Sequence, residues 1–171
     1  MSKQHDPECD CCQGLNSDAI RAQIESHIDQ YGYSVMSVYG EFSYSIGGVA
    51  SGYPDFVLGF NQQNLINYIF PVATGNQTYN EKLLAGRAVK LSAEELGISV
   101  DCWLIPVPAT HEIRGNFIRT MRSEVEPNYV HIVFPDADGL YPWETGYTEF
   151  GQKLLIETEF CKEQVGIARA H

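Results

Sequence analysis

No stretch of this chain approaches the roughly 20 apolar residues that a membrane span requires. The longest apolar runs, Tyr68 to Ala73 and Leu104 to Ala109, are short and contain proline. The N-terminus, MSKQHDPECDCCQG, is polar and lacks the apolar core of a secretory signal. Both absences make the cytoplasm the expected compartment. Basic residues are few, 11 Lys and Arg against 22 Asp and Glu, for a formal charge of −11. Such a surface repels phosphate backbones and anionic lipid, which argues against membrane contact and against nucleic-acid binding over a broad face. Cysteines number five, an odd count that excludes a complete set of intramolecular disulfides. There is no P-loop, no G-x-G-x-x-G and no Ser-His-Asp set, and His111-Glu112 lacks the second histidine of H-E-x-x-H.

What is present is an ordinary globular composition, 44% hydrophobic and 19% charged. A chain of 171 residues, at about 150 per domain, predicts one domain. It is long enough to bury roughly 68–70% of its unfolded surface and needs neither metal nor disulfide to hold a core. Three parts are expected: a polar cysteine-bearing arm over 1–15, one domain over 16–155 and a C-terminal extension over 156–171.

Ile20, Ile24, Ile28 and Tyr31 recur at helical spacing, so a helix is predicted from Ser17 to Tyr31, stopped by Gly32. Alternation over Tyr33 to Tyr39 and again over Phe42 to Ile46 predicts a β-hairpin, ended by Gly47-Gly48. Asp55 to Phe60 is mostly apolar and suits a central strand. Asn61 is placed to cap a second helix carrying Leu65, Ile66, Ile69 and Phe70, which Pro71 should end or kink. Residues 74–80 look turn-rich, and Glu81 to Leu91 is ambiguous between helix and strand. Ala93 to Gly97 predicts one helical turn and Ile98 to Val107 a strand. A third helix opens at Thr110, Tyr129 to Phe134 is a strand, and an ordered loop follows. The tail adds an apolar stretch, Leu154 to Ile156, and a charged end. Strands and helices mix without strict alternation, which predicts an α+β fold: a mainly antiparallel or mixed sheet with about three helices packed against it.

Several of these pieces carry a resemblance. Cys9 and Cys12, Gly32, FSYSIG from Phe42, PDFVLGF from Pro54, FPDADG from Phe134 and PWETGY from Pro142 follow one another in order. In this the chain resembles the bacterial family catalogued as domain of unknown function 4262, over roughly residues 9–155. It departs from the pattern in Gly-Gly-Val after Ile46, in a third cysteine at Cys11 and in the residues after Leu155. The resemblance implies a soluble bacterial protein and brings no catalytic residues with it.

Five sets of residues are chemical candidates. Cys9-x-x-Cys12, with Cys11 and His5 nearby, has the spacing of a zinc knuckle, but its second half is missing. Cys102, Cys161 or a distant histidine would have to complete it; the alternative is an arm of reactive thiols or a redox pair. The segment FPDADGLYPWETGY gathers Asp136, Asp138, Trp143 and Glu144. Asp-x-Asp-Gly resembles part of a calcium loop, but Gly139 falls at the fourth position rather than the sixth. Paired carboxylates also suit acid–base work. The commoner explanation is a turn at Asp138-Gly139 with Trp143 packed on the core. Tyr44, Ser45 and Gly47 put a hydroxyl beside glycines, suiting a nucleophile or an anion nest, though a serine on the polar side of a strand is the plainer account. His131, mid-strand, is a candidate base, or a half-exposed hydrogen-bonded strand histidine. Arg119 and Arg122, one helical turn apart, suit a phosphate or carboxylate as well as plain solvation.

Two functions follow as expectations. The first is a small domain that binds a small ligand or metal ion, zinc being the candidate metal. Its pocket would be walled by the YSIGG strand and the PWETGY loop. The second is a non-catalytic protein–protein interaction module, a homodimer included, with the cysteines as a zinc clip or thiol sensor.

Overall fold

A computed structural model describes residues 17–38, 41–107 and 128–171. Cys9, Cys11, Cys12 and the expected helix from Thr110, with Arg119 and Arg122, lie outside these residues. The described part is an α+β fold with a six-stranded mixed sheet and five helices.

Helix α1 runs Ser17–Tyr31 and stops at Gly32, whose φ of +84° turns the chain while its N–H bonds to the Ile28 carbonyl. Ile24 is buried and Ile28 half-buried, but Tyr31, expected on the apolar side, is 63% exposed and lies against the His27 ring instead. Strands β1 (Ser34–Val38) and β2 (Phe42–Ile46) form the predicted hairpin, with Ser34 opposite Ile46 and Val38 opposite Phe42. Gly47, at φ +103°, leads into a 3-10 turn over Gly48–Ser51 and then β3 (Asp55–Leu58). Strand β3 is central as expected: the sheet order is β1-β2-β3-β6-β5-β4, where β4 is Val89–Leu91, β5 Cys102–Pro106 and β6 Tyr129–Val133. Strands β3 and β6 pair in parallel and the other neighbours antiparallel.

Alternation splits the core in two. One face carries Tyr44, Ile46, Val57, Trp103, Ile105, Tyr129 and Val133. The other carries Phe56, Leu58, Cys102, Leu104, Val130 and Ile132 and is covered by α2 (Gln63–Gly75), α3 (Gln77–Leu84) and α4 (Ala93–Leu96). Ile66, Ile69 and Phe70 of α2 meet that face.

Four local expectations are corrected. Helix α2 starts at Gln63 and not behind an Asn61 cap; the Gln62 N–H turns instead to the Ser43 hydroxyl at 3.1 Å. Pro71 does not end α2, because Pro71 and Asn67, whose carbonyl loses its donor, both face solvent. The turn-rich 74–80 contains the start of α3, since Asn76 caps it by accepting from the Tyr79 N–H at 3.2 Å. Of the expected 98–107 strand, Cys102–Pro106 forms β5 and Val107 extends it by one bond, its N–H to the Tyr129 carbonyl at 2.7 Å; Asp101 is used to accept the Ala93 N–H at the start of α4.

The charged end of the chain is a helix, α5 (Thr158–Ala170), whose Cys161 and Val165 enter the core of the first face. Burying a valine-sized side chain contributes about 1.5–3 kcal/mol, so α5 is part of the domain's core and not a loose appendage. The segment before it is tied down at Gly59. The Lys153 N–H bonds to the Gly59 carbonyl at 2.9 Å, and a Cβ at Gly59 would lie 1.8 Å from the Lys153 oxygen.

Candidate functional site

At the N-terminal end of the parallel β3–β6 pair sits Asp55, wholly buried beside Tyr129. Its Oδ1 accepts from the Ser45 hydroxyl at 2.9 Å and from the Gly48 N–H at 3.1 Å. Ser45 Oγ in turn accepts from the Phe56 N–H at 2.8 Å. Oδ2 has no partner among the described residues. Burial pushes the Asp55 carboxyl up to about 6, and the bonds from Gly48, Ser45 and Gly47 only partly oppose it. The glycines are required here. A Cβ on Gly48 would come 2.8 Å from the Pro54 carbonyl, and one on Gly47 would strike Ile28. Asp55 is not among the residues that sequence motifs single out; its one signal is an acid opening the otherwise apolar run DFVLGF.

At the opposite end of the same strand pair, Asp136 organises the 134–152 loop. Its Oδ1 accepts from the Asp138 and Leu140 N–H groups and its Oδ2 from Thr148, all at 2.8–2.9 Å. The Thr148 N–H, with those of Leu140, Asp138 and Gly139, holds this carboxyl below the usual carboxylate range. Gln152 clamps the loop's return, with its side-chain amide bonded to both the N–H and the carbonyl of Phe134. Glu144 accepts the Tyr141 N–H at 2.8 Å, and Trp143 stacks on Tyr141 with centroids 5.1 Å apart.

Tyr44 and Trp143 therefore share one core cluster, as do Tyr141 and α5. Ser45 and Gly47 are held at the Asp55 end, whereas Asp136, Asp138 and Glu144 belong to the loop at the other end. Asp138 is exposed and Glu144 half-buried. Ser45 does not face a polar side, because both faces of β2 are covered. His131 is not half-exposed but wholly buried. Its Nδ1 lies 2.9 Å from the Ile132 carbonyl and its Nε2 3.0 Å from the Leu155 N–H. That pair of partners assigns the proton to Nδ1 and leaves Nε2 as acceptor. The histidine thereby ties the 154–156 segment to the sheet.

Cys102 and Cys161 are buried, free thiols on opposite faces of the sheet, so they cannot complete one metal site together. Burial pushes each to about 12. Among the described residues no group of three His, Cys, Asp or Glu side chains could hold a metal ion.

The residues with spare hydrogen-bonding capacity lie elsewhere, in a groove between α1, β1 and the start of α2. Two connected hollows, of about 450 and 280 Å³, share His27, Ser34, Val35 and Gln63. Tyr31 stands exposed on one wall, 6.1 Å from the His27 ring, and Asn67 with Gln63 forms the other. Tyr33 stacks on Phe70 at 3.9 Å, which fixes its ring from behind, and partial burial makes its hydroxyl a weaker acid than usual. Ser34 Oγ lies 3.4 Å from His27 Nδ1. The floor is β1, an edge strand of the sheet. Sequence periodicity could not find this groove, because it joins residues from three elements across a sheet edge.

No protein-family model, curated protein or solved structure matches the chain. Among the described residues no helix is long and apolar enough to cross a membrane.

Proposed function

We propose that this protein is a small-ligand-binding domain, related to the family its motifs resemble, and that its site is the α1–β1–α2 groove. The ligand class is an uncharged, planar, hydrogen-bonding molecule. The observation that carries the reading is the pairing of an exposed aromatic wall, Tyr31, with two exposed amides, Gln63 and Asn67, on the facing wall of the groove. Aromatic walls with a few convergent polar groups are what a pocket for a flat neutral ligand needs. The polar candidates Ser45, His131, Asp136 and Glu144, by contrast, have their hydrogen bonds committed inside the protein.

The test is a ligand-observed NMR screen of neutral heteroaromatic amides and matched anionic and aliphatic controls, repeated on Tyr31→Ala and Asn67→Ala. The expected result is saturable binding of heteroaromatics that either substitution weakens by roughly tenfold. Binding unchanged in both variants overturns the assignment. A dimer in native mass spectrometry that Tyr31→Ala dissolves would replace it with the interaction-module reading.

A further inference from the structure

We propose a second, independent site at the other edge of the sheet: a cleft between the α3–β4 turn and α5 that takes a small organic monocarboxylate with an apolar body. The cleft encloses about 550 Å³ and is lined by Lys82, Arg87, Gln164, Ile167, Ala168 and His171. That volume falls within the range of small-molecule sites.

The distribution of cations singles this cleft out. Seven Lys and Arg fall among the described residues. Arg21 pairs with Glu25, Lys90 with Asp101 and Lys153 with Glu41. Arg169 lies over the Trp103 ring at 5.9 Å. Among the described residues that leaves Lys82, Arg87 and Lys162 without an acid, and two of these three converge on this cleft. In a chain of net charge −11, two unneutralised cations at one concavity make a local attractor for an anion. The adjacent acids do not fill the role: Glu81 and Glu163 do not line the cleft, and Glu81 accepts from the Gln77 amide.

Both α3 and α5 end here, and each helix C-terminus presents about half a negative charge. The two full cations, Lys82 and Arg87, exceed these two partial charges.

The ligand needs more than charge. Ile167 is 46% exposed and gives the cleft an apolar lining together with Ala168. A bare inorganic anion would leave that surface wet, whereas an alkyl or aryl acid covers it while its carboxylate meets Lys82 and Arg87. Gln164 and His171 supply hydrogen bonds at the rim.

The experiment is an amide-shift titration of the full chain with hexanoate, hexanol and inorganic phosphate. Hexanoate should move the amides of Gly86, Ile167 and Ala168 saturably, and raised salt should weaken it. Lys82→Gln with Arg87→Gln should weaken hexanoate by roughly tenfold or more. Both positions are exposed, so the double variant should keep the wild-type spectrum elsewhere. Ile167→Ser should also weaken hexanoate, with the charges intact. The proposal is overturned by the absence of saturable shifts at those amides, by equal affinity in the double variant, or by phosphate binding as tightly as hexanoate. None of these outcomes bears on the α1–β1–α2 groove, so the two sites stand or fall separately.

Discussion

Asp55 and Asp136 are both buried aspartates, set at opposite ends of the parallel β3–β6 pair, and the protein treats them in opposite ways. Asp136 spends both oxygens on backbone N–H groups, and its carboxyl is held below the ordinary range. Asp55 has donors on one oxygen only, and burial pushes it up to about 6. Asp55 lies deep in the protein, where desolvation outweighs its donors; Asp136 lies shallower, and donors on both oxygens outweigh the smaller desolvation there.

The largest way to break this contrast is Asp136→Ala. It orphans the N–H groups of Asp138, Leu140 and Thr148 together, and the loop that seats Tyr141 and Trp143 on the core loses its hub. The thermal midpoint should fall by roughly 10 °C or more, read by calorimetry. A midpoint close to that of the wild type would mean that the loop holds its shape without Asp136.

The next effect is in pH dependence. The Asp55 carboxyl titrates near 6 folded, against an ordinary value of 3.8. The folded state thus binds its proton more tightly than the unfolded chain. The stabilising contribution is full below about pH 4 and is lost as pH rises to about 6, a change of about 3 kcal/mol. Asp136 has the opposite sign: its contribution is present above the ordinary carboxylate value and is lost as pH falls through its lowered one. Asp55→Asn keeps an oxygen for Ser45 and Gly48 but cannot ionise. Urea unfolding of this variant from mildly acidic to mildly alkaline pH should show the Asp55 slope gone, with stability at the alkaline end no lower than wild type. An unchanged slope would assign the wild-type dependence to other groups.

Ser45→Ala sharpens the comparison further. It removes one donor from Asp55 and the acceptor of the Phe56 N–H, at a cost of about 1–3 kcal/mol. The Asp55 carboxyl should rise above its wild-type value, as carbon-13 NMR of the side chain would report.

The smallest effect concerns the turn that delivers Gly48 to Asp55. Gly47→Ala places a side chain at φ +103°, with its Cβ 2.6 Å from Ile28 Cγ1. It should cost roughly 1–2 kcal/mol in urea unfolding. Gly52→Ala isolates the backbone share, since its φ is +77° and nothing lies within 4 Å of the added Cβ. Equal losses at both positions would mean that the Ile28 contact carries no weight.

Local elements were legible wherever the side chains repeat. The isoleucines of α1, the alternation of β1 and β2, Gly32 as a stop and the single turn of α4 needed no knowledge of the rest of the chain. Helix α5 was missed because Cys161 and Val165 are a short apolar stripe among charges, recognisable as core only once a sheet face exists to receive it. That Pro71 would not end α2 was not legible, because its cost depends on whether Asn67 faces water, which is a property of packing.

By itself the sequence determined an acidic chain without a membrane-length run, the hairpin, the central place of the DFVLGF strand and the α+β class. These follow from composition and from periods of two and 3.6 residues, which are local. Tertiary structure alone decided that Ser45 serves Asp55, that His131 is a buried clip, and that Tyr31 and Asn67 share one groove while Lys82 and Arg87 share a cleft. Each of those facts joins residues from separate elements. Burial and hydrogen-bond partners exist only after the chain has brought such elements together, and they set both the charge state of a group and whether it is free to bind.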